Sequence, residues 1–283
     1  MSRIAYVNGR YVRHAEAAVH IEDRGYQFAD GVYEVCGVKG GRLLDERRHL
    51  DRLERSLKEL RIPMPVVRAA LGNLLRETVR LNRIRDGIVY LQVTRGVAPR
   101  DHAFTTEMEP SIVITAKRAD PAKLAKGRSG VTVVTRPDER WARRDIKSVS
   151  LLPNILAKQS AREAGAYEAV LVDGEGYVTE GSSTNVWIVD GEGRLVTHPL
   201  GHEILNGVTR QVLVEAAKAD GIELVERAFT VEEAYGASEM FLSASSVPVI
   251  PVIGMDGHRI GDGKPGPVGA RLREAYWRLA ELS

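Results

Sequence analysis

Two short stretches carry most of the information in this sequence: Arg-Trp-Ala-Arg-Arg-Asp-Ile-Lys-Ser at residues 140–148 and Thr-Glu-Gly-Ser-Ser-Thr-Asn at residues 179–185. The first places Lys147 close to three arginines and an aspartate. Cationic neighbours and burial both lower the pKa of an ammonium group, and a lysine that reacts as an amine must be neutral part of the time. The second stretch places Glu180 after a strand-like Tyr-Val-Thr run and before a Gly-Ser-Ser turn. A carboxylate held there can pair with a cationic ring nitrogen.

A reactive lysine and a carboxylate partner for a pyridine nitrogen are together what pyridoxal phosphate (PLP) chemistry requires of a protein. In this order, the two stretches resemble those of the fold-type IV PLP enzymes, which include D-amino acid transaminases, branched-chain aminotransferases and aminodeoxychorismate lyases. The resemblance extends over nearly the whole chain, from Tyr-Val-Asn-Gly at residues 6–9 to the last predicted helix. It implies a two-domain α/β (α+β) fold similar to D-amino acid aminotransferase, with PLP as the cofactor.

The composition is that of an ordinary soluble globular protein. The 283 residues are 43% hydrophobic and 28% charged, with a formal net charge of +2 and dispersed arginines, which does not indicate nucleic-acid binding. Cys36 is the only cysteine, so an intrachain disulfide and a cysteine-based zinc site are excluded. We expect a cytoplasmic protein with no metal and no membrane partner, because no stretch resembles a signal peptide or a membrane span.

Local sequence signals predict a smaller N-terminal α/β domain at residues 1–119. Asn8-Gly9 predicts a tight hairpin between strands at 4–7 and 10–13. Four leucines recur at helical spacing within a charged run and predict an amphipathic helix over 46–61. The other elements expected in this domain are strands at 32–38, 42–44, 88–95 and 111–117, and a helix that ends near Asn82.

The polar segment 120–129, which contains Pro121 and Gly127, is the predicted interdomain linker. Residues 130–283 are expected to form a larger C-terminal PLP-binding domain of antiparallel strands with packed helices. Tight acidic turns at 173–176 and 190–193 predict two hairpins, and helices are expected over 154–165, 208–220 and 267–281.

The family resemblance assigns cofactor roles to individual residues. It implies that Lys147 forms the internal aldimine and moves the substrate proton, whereas Lys158 is expected to be a solvated surface residue. Glu180 would pair with the pyridine nitrogen and keep the ring electron-poor. Gly-Val-Thr-Arg at 207–210 opens a predicted helix, and helix N-termini suit phosphate groups. The remaining implied contacts are Val208, Thr209, Arg52 and Ser245 at the phosphate, Leu205 at the ring face, and Arg140 near the ring.

Two of these assignments have a competing interpretation from the residues alone. The charged run around Arg52 is typical of a solvated helix face, and Leu205 equally suits a position in the core. Ala244 stands where the family carries a hydroxyl residue near the phosphate, which changes the number of donors expected there.

The loop around Arg100 and His102 bears on the substrate. These two side chains, two residues apart, can bind one carboxylate together with Tyr33, although from the residues alone an exposed loop charge is the more ordinary interpretation. The pattern Arg-Gly-x-x-Pro-Arg-x-His at 95–102 resembles the carboxylate trap of bacterial D-amino acid transaminases, where the loop comes from the partner subunit of a homodimer. This implies ping-pong transamination between D-amino acids, such as D-alanine or D-glutamate, and 2-oxo acids.

Two alternatives in the same family share the cofactor residues. A branched-chain L-amino acid aminotransferase differs in the carboxylate clamp, and aminodeoxychorismate lyase eliminates pyruvate instead of transferring nitrogen. A binding protein without catalytic activity is a third alternative, and the presence of both Lys147 and Glu180 argues against it.

Overall fold

The structure is a computed structural model that describes residues 3–105 and 107–283. The chain divides into two compact units. The first comprises the residues up to Ala119 together with Ile146–Ser150 and Glu281–Ser283. The second comprises Asp120–Asp145 and Leu151–Ala280.

This division differs from the predicted domains at two short segments. Residues 146–150 and 281–283 were expected in the C-terminal domain but belong to the first unit. Each segment forms backbone hydrogen bonds with a strand of the first unit. Val149 N donates to Gly31 O at 3.0 Å, and Leu43 N donates to Ser283 O at 3.0 Å. Lys147 therefore belongs to the first unit, although the sequence on both sides of its segment belongs to the second.

The segment predicted as a linker, 120–129, is a helix over most of its length, α4 Pro121–Ser129, and belongs to the second unit. Asp120 Oδ1 accepts a hydrogen bond from Ala122 N at 2.9 Å, which caps the helix, and Pro121 occupies the first turn, where its missing N–H costs nothing. The Asp-Pro pair was thus a signal for the start of a helix.

The first unit contains a sheet whose neighbouring strands run antiparallel in the order β2-β1-β6-β5-β3-β4. Its elements are β1 Ile4–Val7, β2 Arg10–Arg13, a 3₁₀ helix His14–Glu16, α1 Arg24–Phe28, β3 Gly31–Lys39, β4 Arg42–Leu43, α2 Glu46–Glu59, α3 Arg68–Leu81, β5 Gly87–Thr94 and β6 Ser111–Arg118. The predicted hairpin at Asn8-Gly9 is confirmed, and both residues adopt the positive φ that a tight hairpin turn requires, 44° and 90°. The predicted amphipathic helix is confirmed as α2, which buries Leu50, Leu53 and Leu57 in the core under the sheet.

The second unit contains a nine-stranded sheet in the order β12-β11-β10-β13-β14-β7-β8-β9, with β15 paired to β14. Its elements after α4 are β7 Val131–Pro137, α5 Leu152–Glu163, β8 Glu168–Val172, β9 Val178–Gly181, β10 Asn185–Val189, β11 Leu195–Thr197, α6 Val208–Ala219, β12 Leu224–Glu226, α7 Val231–Tyr235, β13 Glu239–Ala244, β14 Val247–Met255, β15 His258–Arg259 and α8 Pro267–Leu279. The three helices and the two hairpins predicted for this region are confirmed.

The prediction of an antiparallel C-terminal sheet is wrong in part. β7 pairs in parallel with both β8 and β14, and β11 pairs in parallel with β12. Both faces of this sheet are covered: in β10, Val186 and Ile188 join one core cluster, and Trp187 and Val189 join the cluster packed against α6 and α8. Strands buried on both faces read as continuous apolar runs, which carry no signal for strand direction.

Within the described ranges, none of the helices combines the length and the apolarity needed to span a bilayer. The same ranges hold no group of three or more histidine, cysteine or acidic side chains placed to bind a metal ion.

Cys36 gives a first test of the packing in the first unit. It lies on the buried face of β3 and is 2% exposed; burial, and then the charge of Glu34, raise the pKa of its thiol well above the ordinary value. Because the thiolate is the reactive form, we expect the native protein to resist Ellman's reagent and to react rapidly only in denaturant. Absorbance of the released thiolate, recorded with and without denaturant, measures this. Rapid stoichiometric labelling of the native protein would contradict the packing.

Candidate active site

Lys147 is held against β3 by backbone pairing. Lys147 O accepts from Tyr33 N at 3.0 Å, and Ser148 forms an antiparallel bridge with Val32. The Lys147 side chain is half-buried, and its Nζ lies 4.3 Å from the centre of the Tyr33 ring, a cation–π distance. The structure therefore brings together two of the residues predicted for the site, Lys147 and Tyr33.

Tyr33 in turn stacks on Tyr90, with ring centres 5.8 Å apart. Burial, and then the nearby Tyr33, raise the pKa of Tyr90 to about 12, and its hydroxyl donates to Gln92 Oε1 at 2.7 Å. The ring next to the Lys147 amine is thus itself packed against a second aromatic ring.

Arg52 is buried rather than solvated, so the interpretation of its helix face as a surface is wrong. Its guanidinium donates to Glu34 twice, Nε to Oε1 and Nη2 to Oε2, both at 2.8 Å. His49, one turn earlier on α2, lies with Nδ1 2.7 Å from Glu34 Oε2. Sequence reasoning missed Glu34 and His49. The available signal was a charged residue on the face of β3 where Val32 and Cys36 are buried.

Burial and the neighbouring charges together set the protonation of this cluster. Burial alone would raise the pKa of Glu34, but the charge and hydrogen bonds of Arg52, with the hydrogen bond of His49, hold it well below its usual range. Burial lowers the pKa of His49, and the neighbouring Glu34 offsets this only in part. Glu34 is therefore ionised, and a neutral His49 donates its Nδ1–H to that carboxylate.

In the second unit, Arg140 joins two buried carboxylates. Its Nε and Nη2 donate to Asp138 at 2.8 and 2.7 Å, and its Nη1 donates to Glu180 Oε1. Burial alone would lower the pKa of Arg140, but Asp138 and Glu180 outweigh it and raise the pKa further above its ordinary value. Thr179 Oγ1 adds a hydrogen bond to Asp138 at 2.7 Å. Sequence reasoning missed Asp138 as the partner of Arg140, although it lies only two positions earlier.

The second oxygen of Glu180 is also fixed. Oε2 accepts from Asn185 Nδ2 and from Leu205 N, each at 3.2 Å, while Asn185 Nδ2 also donates to Leu205 O at 2.9 Å. The backbone of Leu205 thus orients this carboxylate, a contact that its prediction as an apolar ring contact did not include.

The other two arginines near Lys147 in sequence are neutralised within the second unit. Arg143 forms a two-pronged ion pair with Asp145 at 2.9 and 3.0 Å, and Arg144 Nε lies 3.3 Å from Asp138 Oδ2. Both guanidinium groups therefore have carboxylate partners within that unit.

The predicted phosphate site lies at the N-terminus of α6. Gly207 is the N-cap and offers no side chain to the first turn, so the amides of Val208 and Thr209 begin the helix without a side-chain cap. A Cβ added at Gly207 would collide with Oδ1 of Asn185. The side chain of Asn185 also donates a hydrogen bond to Glu180. Ser245 lies half-buried in the turn between β13 and β14, directly after Ala244.

Arg100 and His102 are exposed in the loop between β5 and β6. The guanidinium carbon of Arg100 lies 4.7 Å from the centre of the Phe28 ring, and the His102 ring lies 5.5 Å from the same ring. The loop therefore presents both side chains together on the surface of its own chain.

Lys158 is not the freely solvated residue that the sequence suggested. Its Nζ donates to Tyr167 O and lies 3.2 Å from Glu168 Oε1, whose side chain is 1% exposed. The buried carboxylate requires a cationic or hydrogen-bonding partner, and Lys158 supplies one.

The sequence model of the family "Amino-transferase class IV" matches residues 31–254, which include the lysine segment, the Glu180 strand and the start of α6. The chain belongs to the class IV amino-transferase family. This class IV protein is 42% identical to the "D-alanine aminotransferase" of Bacillus licheniformis over 269 residues, which are 95% of this chain and 94% of that protein.

Three solved structures are similar to this class IV chain throughout their length. A branched-chain amino acid aminotransferase of Escherichia coli has a TM-score of 0.91 at 24% identity and covers 99% of this chain and 95% of that one, which shows the shared fold. The branched-chain aminotransferase of the thermophilic archaeon Thermoproteus uzoniensis, solved with norvaline, has a TM-score of 0.88 at 27% identity, covering 100% and 99%. Another branched-chain amino acid aminotransferase, solved with pyridoxamine 5'-phosphate, has a TM-score of 0.87 at 27% identity, covering 98% and 94%.

The neutral state of His49 predicts an acid-sensitive contribution to stability. Its pKa is lower in the folded than in the unfolded protein, so the folded state binds fewer protons, and this stabilisation is lost as the pH falls below the unfolded value of about 6.5. We expect the urea midpoint of the wild type to decrease on acidification through this range. The decrease should be smaller in His49→Asn, whose amide can donate to Glu34 without titrating.

Urea unfolding at several pH values measures this, and His20→Asn is the matched control because His20 is exposed in the same unit. Equal pH dependence in the wild type and His49→Asn would show that folding does not lower the pKa of His49.

Proposed function

We propose that this chain is a PLP-dependent D-amino acid aminotransferase that transfers an amino group between D-amino acids, of the D-alanine and D-glutamate type, and 2-oxo acids. The observation that carries the proposal is the identity of 40–42% to curated D-alanine aminotransferases over 95–98% of the chain. The solved branched-chain aminotransferases of similar structure are only 24–28% identical to this chain. They therefore support a branched-chain L-amino acid aminotransferase less strongly than the relatives above support a D-amino acid aminotransferase.

The chemistry of the donor set supports PLP as the cofactor. PLP carries an aldehyde, a ring nitrogen that can be protonated, and a phosphate. The half-buried lysine amine suits the aldehyde, and the fixed carboxylate of Glu180 suits the protonated nitrogen. The helix N-terminus after Gly207, which has no side-chain cap, suits the phosphate. When bound, PLP supplies an electron sink that stabilises negative charge at the substrate Cα. We assign Val208, Thr209, Ser245 and Arg52 to the phosphate, and Leu205 to the ring face.

The protein's own contribution to the reaction lies in proton transfer and charge. Lys147 Nζ is proposed to accept the proton that leaves the substrate Cα and to donate it again in the next proton transfer. The Tyr33 ring, whose centre lies 4.3 Å away, orients the amine. Glu180 is proposed to face the ring nitrogen as an anion. Arg140, which is itself paired with Asp138, keeps this carboxylate in place through its hydrogen bond to Glu180 Oε1.

The substrate carboxylate is assigned to Arg100 and His102 together with Tyr33. We propose a homodimer in which the loop of one copy serves the site of the other, which agrees with the exposure of both loop side chains in the single chain. Exchange of one product for a second substrate on the same enzyme form gives ping-pong kinetics. The expected cytoplasmic location stays a prediction.

Lys147→Ala tests the proposal most directly. We expect the variant to fold and to lose turnover, because the amine that binds the cofactor and moves the proton is absent. Borohydride treatment of the wild type with PLP, followed by peptide mapping, should find the reduced cofactor on Lys147. Lys158→Ala is the matched control and should retain the label; attachment to another lysine would overturn the assignment.

Arg100→Ala tests the substrate class. D-alanine should convert the cofactor much faster than L-alanine in the wild type, and the variant should lose about 2–5 kcal/mol of D-alanine binding if the pair is desolvated, because an ionised carboxylate loses its charged partner. Rapid-mixing absorbance of the half-reaction measures both. The half-reaction with (R)-1-phenylethylamine, an amine that has no carboxylate, should proceed at the same rate in Arg100→Ala and the wild type. Preference for L-leucine or L-valine, with Arg100→Ala neutral, would favour the branched-chain alternative.

Mixing subunits tests where the loop acts. A heterodimer of Lys147→Ala and Arg100→Ala subunits has one site with an intact lysine that receives an intact Arg100 from the neighbouring copy, so some activity should return. Absence of complementation, with subunit exchange shown independently, would place the loop in the site of its own subunit.

A further inference from the structure

Arg24 is a buried arginine outside the set assigned to the cofactor and the substrate. It begins α1 and is 4% exposed. Its guanidinium donates to three consecutive backbone carbonyls: Nη1 to Asp101 O at 2.5 Å and to Ala103 O at 3.3 Å, and Nη2 to His102 O at 3.1 Å. These carbonyls belong to the loop that carries Arg100 and His102.

The position of Arg24 is itself fixed on its other side. Its Nε donates to Asp30 Oδ2 at 2.8 Å, and its backbone N donates to Gly96 O at 2.9 Å. Asp30 also receives two hydrogen bonds from Arg95, at 2.7 and 2.9 Å. Burial raises the pKa of Asp30, but the two arginines outweigh it and lower the pKa, so the carboxylate stays ionised. Arg24 therefore connects a charged anchor in the core to the loop backbone.

Aromatic contacts reinforce the same connection. Phe104, the next residue of the loop, lies with its ring centre 3.5 Å from the guanidinium carbon of Arg95 and 5.8 Å from that of Arg24. At the other end of α1, Phe28 lies beneath both Arg100 and His102. The helix that begins at Arg24 thus contacts the loop through its backbone and through the two side chains proposed to bind substrate.

We propose that Arg24 is a positioning residue that holds the loop over Pro99–Phe104 in the conformation in which Arg100 and His102 meet the substrate carboxylate. This inference rests on the proposed function. A planar guanidinium can satisfy three carbonyls and one carboxylate at once, whereas a lysine offers a compact ammonium that cannot reach all four. A loop ordered before binding loses less conformational entropy when the carboxylate binds, so Arg24 acts on substrate affinity without touching substrate.

The test compares Arg24→Gln and Arg24→Lys with the wild-type PLP enzyme. For D-alanine, kcat/KM should fall by about 10- to 100-fold in Arg24→Gln, mainly through KM, because displaced donors no longer align with the carboxylate. Arg24→Lys should lie between the two. The half-reaction with (R)-1-phenylethylamine should be unchanged, since this amine carries no carboxylate.

Two controls separate positioning from general destabilisation. Val79→Ala removes buried methyl groups from α3 in the same unit and should lower the melting temperature without raising KM. Amide hydrogen exchange should accelerate at residues 99–105 in Arg24→Gln but not in Val79→Ala, and this readout is independent of activity. If Arg24→Gln does not fold, Arg24→Lys, which keeps a cation beside Asp30, carries the same comparison.

The outcomes are distinct. A wild type that does not convert D-alanine refutes the proposed function, and the substrate part of this inference with it. If the wild type converts D-alanine, while the Arg24 variants change only the melting temperature and leave KM and loop exchange unaltered, Arg24 is purely structural and the inference is overturned. Raised KM with faster loop exchange, and an unaffected amine half-reaction, supports it.

Discussion

The pairing of residues 147–149 with the first residues of β3 is the contact on which the lysine site depends. Lys147 O accepts from Tyr33 N, and Val149 N donates to Gly31 O. These two hydrogen bonds fix the backbone of a segment that interrupts the second unit in sequence, and they set the distance between the Lys147 amine and the Tyr33 ring. Glu34, the next residue of β3, points to the opposite face and anchors Arg52. One strand therefore orients a reactive amine on one side and a buried ion pair on the other.

The elements that the sequence predicted are those with local signals. The Asn8-Gly9 hairpin, the leucine spacing of α2 and the helix start at Gly207 depend on residues a few positions apart, and each was found within a few residues of its expected bounds. The lysine and carboxylate assignments depended on the order of two stretches and on family resemblance, because no local pattern distinguishes Lys147 from other lysines. Their roles toward PLP stay predictions.

What could not be predicted depends on partners distant in sequence. Glu34 with Arg52, and Arg140 with Glu180, are buried charges whose compensation becomes visible only when separate strands and helices are packed. Parallel pairing of β7 with β8 and β14 is equally invisible in apolar runs. A buried charge without a partner destabilises the folded state, so each of these charges requires an oppositely charged partner. The local sequence does not indicate which residue that partner is.

The backbone bonds between β4 and residues 281–283 have a consequence for protein synthesis. Leu43 and Ser283 exchange two hydrogen bonds, and Arg42 donates to Leu282 O across a separation of 240 residues. The segment with Lys147 likewise reaches β3 only after most of the first unit has already emerged from the ribosome. The unit that is translated first is therefore the one completed last, because β3 and the edge strand β4 take up backbone partners that are encoded far downstream.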